Sequence, residues 1–487
     1  MALESKKKEI VEYCLRNKIL ITPTLLSQVQ SIEELKLKLN INSKTANLVI
    51  AESNHDQKSS VFGSGTVDIL YNYSLEPKKK TIQDFINYFR SRFNSIQSIL
   101  LQRQELSNAS SISRIKQKTS REKSSFIAMI SEKQITKNHH VILSLEDVTG
   151  VIKCLVSKDS PIKSFAEDLI DDDIIGVTGF PSQSGLFFVD NIFLPDLPIP
   201  QFSKKCPDDV CCAVISDLQI GAEDFMEAQF KNFILWLRGE YGSDDERELS
   251  KKVLYLLIVG DSVDGVGIFP GQELRLSIKD IDEQYKILAS YLLMIPPHIQ
   301  IFLSVGNHDA SRLSEPQPPL LKRFQEHFSN VKNIVFVSNP SLLNIHKTSS
   351  FSGYKFLLYH GCSYFYYAEN VPSLKNSAPK IHDRPPFVMK FLLQRRHLAP
   401  TYTSWLYMPE DVDGLVINDI PDFFVSGHLH RPASITYKGV TIICSSCWQP
   451  QNEYQKKQGH EPLPGIVPVV HFRDNVVSFI DFSGGVK

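Results

Sequence analysis

The sequence predicts an α/β protein: a layered sheet core in its C-terminal part, preceded by a small β-barrel of the OB type and a small helical N-terminal region. Three observations predict it. From about residue 207 onward, β-rich apolar runs alternate with helical segments, the pattern of a layered α/β domain. Between 119 and 198, five short strand patterns follow one another with turn signals between them. The chain's 487 residues, 42% hydrophobic and 22% charged, suffice for two or three globular domains with at least one sizeable core.

Residues 1–45 read as short helices. Ile10, Val11 and Cys14 share a helical face, and SIEELKLKL opens on Ser31 as an N-cap with Glu34 three residues on. In 46–118, the stretch up to about residue 80 is Ser/Asn/Lys-rich, as in ESNHDQKSS, and predicts a mobile linker. TIQDFINYFRSRFNSIQSILLQRQEL then carries Phe85, Phe89, Phe93, Ile96 and Leu100 at helical intervals. That is an amphipathic helix with its own chain or a partner to dock on. Residues 119–200 supply SSFIAMISEKQI, HHVILSLEDVTG, VIKCLVSK, DDIIGVTGF and GLFFVDNIFL, with the helix-like insert SPIKSFAEDLI, as an OB-like domain. Such barrels bind single strands or serve as interaction modules, and the sequence has no clear aromatic stacking set to choose between them. The layered domain occupies 207–487.

The formal net charge of -1 gives no global basic field, so contacts to nucleic acid must come from local patches. No run of about 18 apolar residues spans a membrane, and the charged N-terminus lacks a signal-peptide core. The eight cysteines are scattered, several within apolar runs, as expected of reduced, buried thiols in a cytoplasmic protein. Cys444 and Cys447 have C-x-x-C spacing, but a zinc ribbon needs a second such pair and there is none. A structural, redox-inert pair is expected.

Chemistry gathers at five strand ends. VISD ends at Asp217, LYLLIVGD at Asp261, and IQIFLSVGNHD at Asn307, His308 and Asp309. YKFLLYHG ends at His360, and PDFFVSGHLH at His428 and His430. A lone Asp or His after a strand is usually a cap or turn residue. Five such ends in order, each with a metal-capable side chain, predict one shared site, because ligands in open α/β sheets collect where strand C-termini emerge.

The order D-x-x, GD, GNHD, H, GH-x-H resembles the calcineurin-like metallophosphoesterase superfamily. GDSVDGVGIFPGQE, IPPHIQIFLSVGNHDASRLSEPQP, LLQRRHLAPTY, PDFFVSGHLHRP and WQPQNEYQKKQGHEPLPGIVPVV resemble, more closely, the small exonuclease subunits of archaeal D-family DNA polymerases, over about 119–487. The resemblance implies a metallophosphoesterase domain over 207–487, a large catalytic partner subunit that synthesises DNA, and 3′-to-5′ exonuclease activity on single-stranded DNA ends. It also implies two divalent ions, with manganese favoured and magnesium or another first-row ion possible for this donor set. Asp217, Asp261, His430 and residue 219 would hold the first, and Asp261, Asn307, His360 and His428 the second. His308 would protonate the leaving 3′-oxygen or stabilise the phosphate, with Asp309 orienting its ring. Arg312, Arg395, Arg396 and Arg431, with His397, are candidate DNA-phosphate contacts, set against solvated charge or pairing within the protein. The aromatics of SYFYY, Tyr364 to Tyr367, offer a stacking surface or core packing.

The departure is Gln219, where the family carries His. A neutral amide oxygen is the weaker ligand, so the first ion may be coordinated with altered metal demand, held weakly with slow turnover, or lost with the activity. The intact remainder of the set favours a working nuclease. A non-catalytic accessory subunit with a weakened metal site is the alternative, and a stand-alone phosphatase the third reading, disfavoured by the OB-like domain.

Overall fold

The computed structural model describes residues 60–62, 65–74, 78–118, 122–200, 204–451 and 461–484, with Ile10, Ser31, Ile32 and Lys456 besides. The helical reading of 1–45 therefore lies, apart from single positions, outside the described residues.

Two strands come first, β1 (Ser60–Phe62) and β2 (Gly65–Asn72). Composition predicts a linker here, but every second residue of TVDILY is apolar on one side. Val67 is buried between two sheets and Ile69 packs beside it. Composition averaged over a long polar stretch hides so short a period-two pattern. Helix α1 (Ile82–Leu100) follows, its start closed by Asp84, which accepts from the Thr81 N–H and hydroxyl, both at 2.7 Å. Phe93, Ile96 and Leu100 pack against Ile127, Ile174 and Val416, so the amphipathic helix docks on its own chain.

Five strands then close a barrel: β3 (Ser124–Ile135), β4 (Val141–Asp147), β5 (Gly150–Val156), β6 (Ile174–Pro181) and β7 (Leu186–Phe193). Their order is β3-β4-β5-β7-β6, with β6 returning to pair with β3 and β5 running parallel to β7. A short helix, Lys163–Glu167, lies between β5 and β6. This is the OB arrangement. Alternate residues fill the interior, Phe126, Ala128 and Ile130 from β3 meeting Val141, Leu143 and Leu145 from β4.

The layered domain adds β8 (Cys211–Ile215), β9 (Val253–Val259), β10 (Gln300–Ser304), β11 (Ile334–Phe336), β12 (Ser341–Lys347) and β13 (Tyr354–Leu358). It ends with β14 (Phe423–Ser426), β15 (Ala433–Tyr437), β16 (Val440–Cys444), β17 (Ile466–His471) and β18 (Val476–Asp481). One sheet has the order β11-β10-β9-β8-β17-β18, the other β1-β2-β12-β13-β14-β16-β15. The run β8 to β11 is parallel, as are β13, β14 and β16. Tyr255, Leu257 and Val259 of β9 meet Phe356, Leu358 and Val425 between the sheets. Their neighbours Leu256 and Ile258 point outward to Phe230, Phe233, Tyr285 and Leu288 on helices Glu227–Leu237 and Ile281–Leu293. On the far side, Leu357, Phe424 and Ile442 pack against Tyr364, Tyr367, Val388 and Leu392. The result is helix, sheet, sheet, helix. Strands buried on both faces explain why these runs read as continuous apolar stretches rather than alternating ones.

From Ser60 onward the described chain packs as one unit. The barrel is tied to the layered domain by Arg395, whose Nε lies 2.9 Å from Asp173 Oδ1, both side chains buried. The Thr401 hydroxyl donates to the Asp171 carbonyl at 3.1 Å, and the Tyr402 N–H to Asp172 Oδ2 at 2.8 Å. No helix among the described residues is long and apolar enough to cross a membrane.

Candidate metal centre

The C-terminal ends of β8, β9, β10, β13 and β14 deliver Asp217, Asp261, Asn307, His360 and His428 to one place. Asp217, Asp261 and His360 offer ligand atoms all within 4.8 Å of one another, and so do His360, Cys362 and His428. The backbone is bent to do it. Asp217 (φ 51°), Gln219 (50°), Asp261 (51°), His428 (68°) and His430 (57°) all adopt the left-handed region. Each such residue costs about 1–3 kcal/mol, strain typical of functional sites. Two glycines make room: a Cβ at Gly306 would come within 2.2 Å of Asp261 Oδ1, and one at Gly427 within 2.6 Å of Asp217 Oδ2.

Hydrogen bonds fix which atoms face inward. The His360 Nδ1–H donates to the Val259 carbonyl at 2.9 Å, which leaves Nε2 3.2 Å from both Asp261 Oδ2 and Asn307 Oδ1. His430 Nε2 sits 3.1 Å from Asp217 Oδ1, and Asp217 Oδ2 accepts from the His428 N–H at 3.0 Å and from the Ser216 hydroxyl. Burial alone would lower the His360 imidazole, but Asp261 beside it prevails and raises it to about 10. Against burial, Cys447 and Asp217 likewise hold His430 well above the usual range. Burial and the charge on His360 push His428 the other way, down to about 3. Burial opposes ionisation of Asp217 and Asp261, yet His430 and His360 keep both below the ordinary carboxylate range.

Gln219 supplies the test of fit. It is buried, its N–H donates to the Asp261 carbonyl at 3.0 Å, and its side-chain Oε1 accepts no hydrogen bond from the described residues. A buried amide oxygen without a donor is costly unless a cation takes the place of the donor. The set of two carboxylates, two amides and three imidazoles fits divalent first-row ions.

His308 lies beside the cluster, its N–H donating to Asp261 Oδ1 at 2.8 Å. Its ring is oriented by Asp264, whose carbonyl accepts from Nδ1 at 2.8 Å, and not by Asp309 as expected. Asp309 is turned to the loop instead, accepting from the Ser262 hydroxyl at 2.6 Å and the Gly306 N–H at 2.8 Å. The cluster opens into a cavity of about 650 Å³ lined also by Ile268, Phe269, Pro270 and Phe365.

None of the four expected arginines is among the cavity's lining residues. Arg395 and Arg396 are buried, Arg395 against Asp173 and Arg396 on the carbonyls of Ile417 and Asn418. His397 is buried against Asp413 at 2.9 Å. Arg312 donates to the Ser314 and Pro316 carbonyls at 3.1 Å and stacks on Tyr73, and Arg431 pairs with Asp383. Of SYFYY, Tyr364 and Tyr367 are core residues, while Phe365 reaches the cavity edge-on to His428. Cys362 and Asp264 were not legible as site residues: Cys362 is an isolated thiol, and Asp264, which meets His308 Nδ1 with its carbonyl at 2.8 Å and its Oδ1 at 3.5 Å, lies within a loop rather than at a strand end. Cys444 and Cys447 are buried free thiols.

The calcineurin-like phosphoesterase family matches residues 212–432. The chain is 36% identical over 408 residues to the DNA polymerase II small subunit of Pyrococcus abyssi, covering 83% of this chain and 64% of that protein. It is 37% identical over 405 residues to the DNA polymerase II small subunit of Methanothermobacter thermautotrophicus, covering 82% and 80%. With the same subunit of Thermoplasma acidophilum the identity is 33% over 421 residues, covering 85% and 80%. The chain thus spans 64% of the length of the Pyrococcus abyssi relative.

Proposed function

Because the chain belongs to the archaeal DNA polymerase II small-subunit family, we propose that it is the nuclease-bearing small subunit of a heterodimeric polymerase. In this reading it removes nucleotides from single-stranded 3′ ends, while synthesis resides in the large partner chain. The supporting observation is the Gln219 side chain: it lines the same cavity as Asp261, Asn307, His428 and His430, and its buried oxygen accepts no hydrogen bond from the described residues. Asp217, Gln219, Asp261 and His430 would hold one ion, and Asp261, Asn307, His360 and His428 the other. Divalent ions, manganese before magnesium, supply an activated water and offset charge on the phosphate. His308 completes the chemistry. With Nδ1–H committed to the Asp264 carbonyl, its Nε2 is the atom available to hand a proton to the leaving 3′-oxygen.

Manganese-dependent release of nucleotides from a 3′-labelled single strand tests this with the purified complex. Asp261→Ala should reduce release about a hundred-fold or more. If wild type and Asp261→Ala were equally inert, the reading as a non-catalytic accessory subunit would replace this one.

A further inference from the structure

We infer that Phe269 is the surface on which the last nucleobase of a single strand of DNA stacks. The inference rests on the reading that the centre acts on DNA ends.

Phe269 stands on the loop that leads away from Asp261, and this loop is unusually well braced. Gln272 is fully buried: its Nε2 donates to the Asp264 carbonyl at 2.8 Å, and its Oε1 accepts from the Ile268 N–H at 2.9 Å. Gln284, also fully buried, accepts from the Gly265 N–H at 2.9 Å and donates to the Gly265 and Ile278 carbonyls at 3.1 and 2.8 Å. A Cβ at Gly265 would lie 2.3 Å from the His308 carbonyl, so the loop is pressed onto the residue beside the leaving group. Two satisfied, buried amides therefore hold in place a loop that leaves Phe269 37% exposed in water, edge-on to His308 with ring centroids 6.4 Å apart.

An aromatic ring fixed this way loses little freedom when a flat ligand lands on it. The cavity joins this apolar wall of Ile268, Phe269 and Pro270 to the polar floor of Asp261, Asn307 and His308. Its ≈650 Å³ suits one ligand with a flat apolar part and an anionic part, and an unpaired nucleotide has both. Stacking is indifferent to base identity, as removal of any terminal nucleotide requires. Phe365 is the weaker candidate, since it is packed against the core and against His428.

The test uses the intact complex and a single strand ending in 2-aminopurine, whose fluorescence falls on stacking, with calcium replacing manganese. Binding should quench the wild-type signal. Phe269→Ala should remove most of the quench and weaken binding of the end about ten-fold, and Phe269→Tyr should retain both. On a strand with an abasic 3′ terminus, wild type and Phe269→Ala should bind alike. An unquenched wild-type complex, or a Phe269→Ala penalty equal on abasic and base-bearing ends, overturns the inference. Cleavage of the same strands in manganese is read separately: quenching without cleavage would reject the nuclease reading and leave the stacking surface standing.

Discussion

At residue 219 the proposed ligand is an amide rather than an imidazole, a difference that would alter how tightly an ion is held more than where it sits. Gln219→His should therefore lower the manganese concentration for half-maximal nucleotide release by about ten-fold, and a titration that does not move would show that the amide is no handicap. His308→Gln should slow release about 10²- to 10⁴-fold with bound manganese unchanged, because the residue moves a proton and holds no ion. A parallel loss of metal in that variant would contradict the assignment. The donors themselves were legible in the sequence because each follows an apolar run at a strand end, where residue type and position together signal a site. Asp264 was not, since it ends no apolar run but sits in the loop three residues past Asp261, where an acid reads as an ordinary turn residue.

Among the elements, α1 depends on one buried cation. Arg92 Nε donates to Asp413 at 2.6 Å and Nη1 to the Pro400 carbonyl at 2.6 Å, with the guanidinium 5.0 Å from the ring centre of Phe89 and 5.2 Å from that of Tyr407. Arg92→Leu should cost about 3–5 kcal/mol in urea unfolding by stranding Asp413, and Arg92→Leu with Asp413→Leu should recover part of the loss. The same Asp413 accepts from His397 Nε2 at 2.9 Å, while His397 Nδ1 accepts from the Ala399 N–H at 3.0 Å. The ring is thus neutral in a fixed tautomer, and burial with the nearby Arg92 charge lowers it to about 4 from the usual 6.5. Between those values the unfolded chain binds a proton that the folded one refuses, so stability rises with pH. Unfolding midpoints should fall as pH drops from 6.5 toward 4, by on the order of 3 kcal/mol, and His397→Gln should flatten that slope. The helix pattern was visible in the sequence. Its buried arginine was not, because an Arg among aromatic residues reads equally well as a solvated charge.

For the molecule as a whole, the barrel and the layered domain are joined through Arg395, for which the sequence left open a DNA-phosphate contact or a pairing within the protein. Arg395→Met takes from buried Asp173 the guanidinium that faces it and should loosen the barrel, seen as earlier proteolysis within 124–193 or a second unfolding transition. Affinity for single strands should stay the same, and a drop in affinity with unchanged proteolysis would return Arg395 to the DNA surface. Barrel, sheets and strand ends could be read in advance because periodicity and turn residues carry them. The direction in which an arginine points depends on tertiary packing, which no local pattern records.

The pairing of β2 with β12 also sets a timetable for synthesis. Tyr73 and Ser338, hydrogen-bonded at the end of that pairing, are 265 residues apart in the chain. At about 5–20 residues per second, a ribosome needs roughly a quarter of a minute to a minute to bridge that gap. Throughout that interval the segment 65–72 has been made and its partner has not. That wait makes the nascent chain, rather than the finished one, the stage most exposed to unwanted strand pairing.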